Sequence, residues 1–289
     1  MKIKQIGIIG QGFVGNAVRE VFSQYYPVHT FDLIESKSSC KTLEELIRKA
    51  DAIFVCLPTP MQKNGECDVS LVRETVSNIE ATAKYIYKKD LPIIIKSTIQ
   101  PGTTKKLVEE NPYTNIVFNP EFLTEANAVE DYHDQSRIIL GINTKDCNHI
   151  GCMFNKVFPN ATLIKTKSTV AEMVKYVTNC FLSTKVSFAN EIYQICHELK
   201  IDYGKVIEYS KYDKRLGNSH WNVPGPDGDF GYGGHCFPKD MAALKFLANL
   251  IGVDTSVLDG VIKKNDEVRK ERDWERQIGR AVSSDYFEN

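Results

Sequence analysis

Three glycines near the start of the chain restrict its fold more than any other pattern. They stand at positions 10, 12 and 15, directly after an apolar run at residues 6–9 and at the start of a helical pattern. In a strand–turn–helix unit, the first glycine makes the turn, the second lets a pyrophosphate approach the backbone, and the third packs helix against strand. We therefore predict a dinucleotide-binding unit at the start of the chain.

Asp32 ends the next predicted strand, about 20 residues after the glycine turn, where a carboxylate can hold the hydroxyl groups of a ribose. Its charge would repel a 2′-phosphate and no arginine follows immediately, so the sequence favours NAD over NADP. A glycine-rich turn without a ligand is the alternative. The residues expected to contact NAD in this region are Gly10, Gly12, Phe13, Val14, Gly15 and Asp32.

The first half of the chain alternates short β-branched runs with helical patterns. Candidate strands cover residues 6–9, 28–31, 52–56, 93–96, 116–118 and 138–140. Candidate helices cover residues 14–23, 43–48, 69–87 and 103–109. This alternation is typical of βαβ units. We predict an α/β fold whose N-terminal domain is a Rossmann-like, doubly wound parallel sheet at residues 1–166.

Polar segments follow three of the predicted strands, at residues 56–60, 96–103 and 119–125. Ligands of open α/β sheets bind at the carboxyl ends of the strands. We therefore expect Pro58, Thr59 and Thr98 at the cofactor, with Thr98 and Glu121 near a nicotinamide or a reacting carbon. The open alternative is that Thr59, Thr98 and Asn119 only end strands and cap helices.

The second half of the chain is predicted to be mostly helical. Residues 161–203 contain neither glycine nor proline and keep a helical apolar period over much of their length. Such a long helix suggests a link between domains and a contact with a second subunit. Residues 210–235 read as a loop, followed by a helix near Pro238 and a charged helix from 255 to about 283. We assign residues 167–289 to a helical central and dimerisation domain.

Two features of this half suggest chemistry. Lys175 and Asn179 are four residues apart on the long helix and therefore share a face, although a lysine on a helix is usually a solvated surface residue. Cys236 ends a glycine-rich loop two residues before Pro238, just outside a predicted helix N-terminus. Unpaired N–H groups and the positive dipole end there favour a thiolate, which is a nucleophile. Asp240, four residues on, could cap that helix or handle protons.

Bulk properties exclude several functions. The net charge is −1, with 25% charged residues, so neither nucleic acid nor a membrane is an expected partner. The opening residues carry no secretion-signal pattern, and the eight cysteines show no metal-binding spacing. We expect a cytoplasmic protein with reduced thiols and no metal.

Together these motifs resemble the UDP-glucose/GDP-mannose dehydrogenase family over residues 7 to about 272, nearest to its UDP-glucose 6-dehydrogenase branch. The resemblance implies oxidation of a sugar-nucleotide C6 alcohol to the carboxylate, most simply UDP-glucose to UDP-glucuronate, with two NAD molecules and a thiohemiacetal and thioester on Cys236. The implied catalytic residues are Cys236, Lys175, Asn179, Asp240, Glu121 and Thr98. The implied substrate contacts are Glu121, Phe122, Leu123, Lys175, Asn179, Arg215, Phe230 and Gly233. Glu125 matches a second family glutamate, which we assign to the cofactor site.

Two alternatives stay open. A two-electron hydroxyacid dehydrogenase of the 6-phosphogluconate type shares the dinucleotide domain but needs no loop cysteine. A non-catalytic NAD-binding subunit is suggested because family members normally continue into a C-terminal nucleotide-binding domain, for which we expect no counterpart in this sequence. The expected partners are a small sugar nucleotide and a second copy of the chain, as a homodimer or higher homo-oligomer.

Overall fold

The computed structural model describes residues 2–143 and 147–287. The chain forms two compact units, the first from residues 1–59 and 69–175, and the second from residues 60–68 and 176–289. The chain therefore leaves the first unit for a short excursion at residues 60–68 before it finally enters the second. The sequence-based domain boundary between residues 166 and 167 remains a prediction.

The first unit is built on one seven-stranded sheet. Its strands are β1 (Ile6–Ile9), β2 (Val28–Phe31), β3 (Ala52–Val55), β4 (Pro92–Ile95), β5 (Asn115–Phe118), β6 (Arg137–Ile142) and β7 (Thr162–Thr166). Their order is β2-β1-β3-β4-β5-β6-β7, and only the β5–β6 pair among these strands is antiparallel. The strand order reverses beside β1, which creates a switch point between β1 and β3. The predicted α/β, doubly wound and mostly parallel sheet is confirmed.

Helices pack on both faces of this sheet. They are α1 (Phe13–Phe22), α2 (Leu43–Lys49), α3 (Ser70–Tyr85), α4 (Thr103–Glu110), α5 (Ala128–His133) and α6 (Asn148–Val157). One apolar cluster joins α1, α5 and α6 to one face, with Phe22, Phe54 and Phe154 at its centre. A second cluster joins α2, α3 and α4 to the other face. Strands β1, β3, β4 and β5 are consequently buried on both faces. Because these strands are parallel, their carboxyl ends lie at the same edge of the sheet.

The second unit is mostly helical. It contains the part of α7 (Ser168–Leu199) that follows residue 175, together with α8 (Tyr203–Ser210), α9 (Phe237–Leu250) and α10 (Ser256–Val268). The excursion at residues 60–68 folds into a small hairpin in which Met61 pairs with Cys67. Met61 also pairs with Val282, and its main chain exchanges hydrogen bonds with Ala281 and Ser283. Residues more than two hundred positions apart thus share one small apolar cluster with Trp274.

The charged helix predicted from 255 to about 283 is wrong in its second half. Helix α10 ends at Val268, and Arg269 is extended, with ψ 127°. The Arg269 side chain is only 3% exposed, and its Nη2 atom lies 2.7 Å from Asp227 Oδ2 and 2.8 Å from Asp273 Oδ1. These two charge-assisted hydrogen bonds hold Arg269 in its extended conformation, so the helix ends before it. Neither a glycine nor a proline marks the end of the helix in the sequence.

The structure also contains α5, α6, α8 and β7, which the sequence analysis did not anticipate. Strand β7 is mostly exposed and lies at the edge of the sheet, so it lacks a clear apolar alternation. Across the described ranges, no helix combines the length and the apolar character that crossing a bilayer requires.

Candidate functional site

The glycine turn after β1 meets the steric demands of a dinucleotide fingerprint. Gly10 has φ +87°, and a Cβ atom there would lie 2.4 Å from the carbonyl oxygen of Cys56. A Cβ atom on Gly15 would lie 1.9 Å from the carbonyl oxygen of Gly10. A Cβ atom on Gly12 would meet nothing within 4 Å. The first and third glycines are therefore required by the protein's own packing, whereas the second leaves open space that a pyrophosphate fits.

Asp32 is directly connected to this turn. Its Oδ2 atom accepts a hydrogen bond of 2.6 Å from the main-chain N–H of Gln11, and its Oδ1 atom accepts one of 2.8 Å from Ile34. A carboxylate has about four acceptor positions, so this partly exposed group can still receive two ribose hydroxyls. The open space at Gly12 and the carboxylate of Asp32 fit the pyrophosphate and the ribose of NAD, whose nicotinamide ring supplies the hydride-accepting chemistry.

Hydrogen bonds join the three polar segments that follow β3, β4 and β5. The N–H of Leu57 donates to Ser97 Oγ at 2.9 Å, and the Thr59 hydroxyl donates to the carbonyl oxygen of Thr98 at 2.7 Å. Lys96 Nζ donates to Asn119 Oδ1 at 2.9 Å, and Asn119 donates from Nδ2 to the carbonyl oxygen of Ile139 at 2.8 Å. The expected gathering of these segments at one sheet edge is therefore present. Thr59 and Asn119 have structural bonds, as the alternative required, and a cofactor contact by Pro58, Thr59 or Thr98 remains a prediction.

A buried ion pair lies beside this edge. Lys175 Nζ donates to Glu121 Oε1 and to the carbonyl oxygen of Glu121, each at 2.8 Å, and the two side chains are 3% and 5% exposed. Burial alone would raise the pKa of Glu121, but the charge and hydrogen bond of Lys175 and the N–H of Leu123 outweigh it and lower that pKa. Lys175 is thus not the solvated surface residue that a helical lysine usually is.

The neighbours of Glu121 divide into packed and exposed residues. The Phe122 ring lies 4.5 Å from the Arg137 guanidinium and 5.7 Å from Lys175 Nζ, as cation–π contacts. The N–H of Leu123 donates to Glu121 Oε2 at 2.8 Å. Glu125 is exposed. Their roles toward a substrate or a cofactor remain predictions.

In the second unit, Cys236 is the residue immediately before α9, and Pro238 stands in the first turn of that helix. This is the position that the sequence indicated. The thiol-bearing residue is partly exposed, and its carbonyl oxygen accepts the N–H of Asp240 at 2.9 Å. Because the first N–H groups of α9 point toward this end, the local field favours a negative charge at Cys236.

Asp240 organises a buried cluster rather than capping α9. Its Oδ2 atom accepts from Asn179 Nδ2 at 2.6 Å, and its Oδ1 atom accepts from Lys239 Nζ at 2.5 Å. Burial would lower the pKa of Lys239, but the negative charge of Asp240, with smaller contributions that include Cys236, raises it. Lys239 was missed by the sequence analysis, although its position between Pro238 and the assigned Asp240 was a usable signal.

Three further predicted residues lie in the second unit. A Cβ atom on Gly233 would lie 2.1 Å from Arg269 Nη2, so a larger residue there would displace the buried Arg269 guanidinium. Phe230 stacks obliquely on Tyr193 with ring centroids 5.6 Å apart. Arg215 is exposed and forms an ion pair with the neighbouring Asp213. Contacts of these residues with a sugar nucleotide remain predictions. No cluster of three or more metal-binding side chains occurs in the part of the chain that the structure describes.

Comparison with known proteins decides the family. The NAD binding domain of the UDP-glucose/GDP-mannose dehydrogenase family matches residues 32–162, and the central domain of that family matches residues 169–267. This chain belongs to the UDP-glucose/GDP-mannose dehydrogenase family. The NAD-domain match begins at Asp32, so the glycine turn precedes it. The geometry of the turn is therefore support for NAD binding that is independent of this match.

Individual family members give the extent of the similarity. The chain is 34% identical over 232 residues to UDP-glucose 6-dehydrogenase of Rickettsia bellii, covering 77% of this chain and 51% of the relative. It is 30% identical over 304 residues to UDP-glucose 6-dehydrogenase TuaD of Bacillus subtilis, covering 92% of this chain and 64% of the relative. The chain thus spans about half the length of the Rickettsia relatives.

Two solved structures show the same fold. A UDP-glucose dehydrogenase of Pyrobaculum islandicum superposes with a TM-score of 0.80 at 26% identity, covering 92% of this chain and 68% of that chain. A 3-hydroxyisobutyrate dehydrogenase of Mycobacterium tuberculosis gives a TM-score of 0.72 at 15% identity, covering 92% and 94%. The second likeness is one of fold alone.

Proposed function

We propose that this protein is an oxidoreductase that converts the C6 alcohol of a sugar nucleotide, UDP-glucose foremost, into the carboxylate with the use of two NAD molecules. The observation that carries this proposal is the position of Cys236 at the start of α9, in a chain of this family. A two-electron oxidation of an alcohol does not require a nucleophilic thiol. An oxidation that continues to the acid needs a nucleophile that adds to the aldehyde carbon, so that a second hydride can leave that carbon, and a thiolate is well suited to this step.

The proposed reaction has four steps. A proton leaves the C6 hydroxyl group and a hydride leaves C6, which gives the aldehyde. The Cys236 thiolate adds to the aldehyde carbon and forms a thiohemiacetal. Loss of the second hydride from that carbon and of the proton from its hydroxyl group gives a thioester, and each of the two hydrides would pass to one NAD molecule. Water then adds to the thioester, the carbon–sulfur bond breaks, and the carboxylate leaves while the thiolate is restored.

The side chains around each centre support distinct roles. The N-terminal end of α9 and the buried ammonium of Lys239 favour the thiolate form of Cys236. We assign Lys175 and Asn179 to stabilising oxyanion character, and Asp240, whose carboxylate accepts from Asn179 and Lys239, to organising water. Glu121, held as a carboxylate by its lowered pKa, suits the activation of water for thioester hydrolysis.

The decisive experiment measures the stoichiometry of the reaction. Purified protein is mixed with NAD and UDP-glucose, and NADH absorbance is compared with the amount of acid formed; two NADH for each acid are expected. One NADH for each product would instead identify a two-electron hydroxyacid-type dehydrogenase. NAD binding without turnover on any of a set of sugar nucleotides would identify a non-catalytic subunit. This alternative is tested because the chain covers only 51% of the Rickettsia bellii relative.

Cys236→Ser tests the covalent step. The serine hydroxyl is a far weaker nucleophile at neutral pH, so we expect acid formation to fall by at least about a thousandfold while NAD binding is kept. Cys152→Ser is the matched control, because Cys152 is an exposed thiol on α6. Normal acid production by Cys236→Ser would contradict the proposed thioester.

We also propose that two copies of the chain associate through α7. Apolar side chains that are 48% to 66% exposed recur on this helix at spacings of four and seven residues: Val177, Phe181, Phe188, Ile195 and Leu199. Residues at these spacings share one helix face. An apolar stripe of this length is typical of a surface that packs against protein, and a second copy offers a stripe of the same kind.

A further inference from the structure

Lys96 is a buried cation for which the proposed reaction has no role. It directly follows β4, it is 2% exposed, and its N–H donates to the carbonyl oxygen of Val55 at 2.9 Å. A lysine side chain is almost never fully buried unless its charge is compensated. Its surroundings should therefore show what this charge is for.

The Lys96 ammonium group holds the main chain that leads to Glu121. Nζ donates to Asn119 Oδ1 at 2.9 Å and to the carbonyl oxygen of Pro120 at 3.4 Å. Asn119 is itself fixed, because its Nδ2 atom donates to the carbonyl oxygen of Ile139 at 2.8 Å. The Tyr132 ring covers the ammonium group at 5.0 Å. The hydrogen bonds to Asn119 and Pro120 restrain the segment immediately before Glu121.

Two ammonium groups thus hold consecutive peptide units of one short segment. Lys96 binds the carbonyl oxygen of Pro120, and Lys175 binds the carbonyl oxygen of Glu121 at 2.8 Å. Both cations act on the Glu121 carboxylate: Lys175 by direct contact and Lys96 through its field. A carboxylate with two neighbouring cations is favoured in its ionised form.

We propose that Lys96 is a positioning residue for the oxidation described above, because it fixes the segment that carries Glu121 and supplies the second positive charge beside that carboxylate. This inference rests on the proposed function for its catalytic consequence. Its structural part concerns Lys96 and Glu121 alone and is measurable without turnover.

The protonation of Lys96 gives the proposal a distinctive pH signature. Burial lowers the pKa of Lys96 to about 8, with the positive charge of Lys175 acting in the same direction and the negative charge of Glu121 opposing it. The other titratable group against it is Tyr132, whose pKa burial raises, and burial likewise raises the pKa of Cys56 to about 12, so both stay neutral. The ammonium is therefore present below about pH 8 and is lost as the pH rises through that value.

The test compares Lys96→Met and Lys96→Arg with the wild-type protein. The first readout is the carbon-13 NMR titration of the Glu121 side-chain carboxyl group, assigned by its disappearance in Glu121→Gln. We expect Lys96→Met to move this titration upward by about one pH unit, the usual size of the effect of one neighbouring charge, whereas Lys96→Arg leaves it in place. The second readout is the pH profile of kcat for NADH formation. Its acidic limb should move upward in Lys96→Met, and its alkaline limb near pH 8 should move upward in Lys96→Arg, because a guanidinium stays protonated.

Lys88→Met is the matched control. Lys88 Nζ also donates to two main-chain carbonyl oxygens, those of Ile47 at 3.0 Å and Arg48 at 3.2 Å, so the same chemical change is made away from Glu121. It should move neither readout. An unchanged Glu121 titration in Lys96→Met, or an equal shift in Lys88→Met, overturns the proposal. If the wild-type protein turns over no sugar nucleotide, the proposed function fails, and the NMR titration alone still decides the role of Lys96.

Discussion

The buried pair of Lys175 and Glu121 makes a quantitative prediction about stability. Lys175→Met removes the ammonium group from both oxygens that it binds at 2.8 Å and leaves the Glu121 carboxylate, 5% exposed, inside the protein. Removing one partner of a buried ion pair costs about 3–5 kcal/mol. The N–H of Leu123 still donates to the carboxylate, so we expect the lower end, about 3 kcal/mol of unfolding free energy.

A double-mutant cycle isolates the pair itself. Glu121→Gln removes the negative charge, and in the protein that carries both substitutions no charge of the pair remains buried. The combined loss should therefore be smaller than the sum of the two single losses, by about 2 kcal/mol. Urea denaturation followed by circular dichroism gives each value. Lys49→Met is the control, because Lys49 forms an exposed pair with Glu45 at 2.6 Å, and its loss should change the unfolding free energy far less than Lys175→Met does.

The loss of unfolding free energy in Lys175→Met should also depend on pH. The pKa of Glu121 in the folded protein lies below its ordinary value, so the stability from its ionised form is complete above the unfolded-state pKa of about 4.3 and is lost as the pH falls through the folded-state pKa. The cost of Lys175→Met should shrink in acid. A cost within about 1 kcal/mol of zero at neutral pH, or strictly additive single substitutions, would refute the argument.

Three further predictions concern other parts of the molecule. Gly12→Val fills the open space in the glycine turn and should weaken NAD binding at least about tenfold in calorimetry. It should lower the melting temperature less than Gly15→Ala does, because the Cβ introduced by Gly15→Ala meets the Gly10 carbonyl oxygen, and equal melting losses would contradict this. Glu172→Ala removes a buried carboxylate that accepts three hydrogen bonds at the start of α4 and should cost about 2–4 kcal/mol in urea, and a loss below about 1 kcal/mol would be inconsistent with those bonds. Phe181→Glu should convert the proposed dimer to a monomer in analytical ultracentrifugation, and an unchanged molar mass would exclude α7 as the interface.

The fold of the first unit was predictable because its strongest signals are local. Strands β1, β3, β4 and β5 are continuous apolar runs, as expected for strands buried on both faces, and the glycine turn follows one of them. Strand β7 was not predictable, because its side chains are mostly exposed and its position depends on pairing with β6. The end of α10 at Val268 likewise depends on acidic residues that are distant in the sequence or outside the helix, which bind Arg269.

In the candidate site, too, some features follow from the local sequence and others depend on residues that are distant in the sequence. The place of Cys236 before α9 follows from a proline and a glycine-rich loop, both visible in the sequence. The burial of Lys175 does not follow from its own helix, since it depends on Glu121, more than fifty residues away. Lys239 was missed because a lysine is assumed to be solvated, whereas its ammonium group is in fact held by the adjacent Asp240.

The pairing of Met61 with Val282 bears on how the chain folds during synthesis. The hairpin at residues 60–68 emerges from the ribosome early, but the residues that complete its main-chain pairing are translated more than two hundred codons later. The second unit therefore cannot complete its folding while the chain is being translated. Its small apolar cluster around Trp274 forms only when nearly all of this sequence has been made. A fragment that stops at residue 175 would carry an unmatched hairpin, so separating the two units by a single cut should yield a less soluble product than the intact chain.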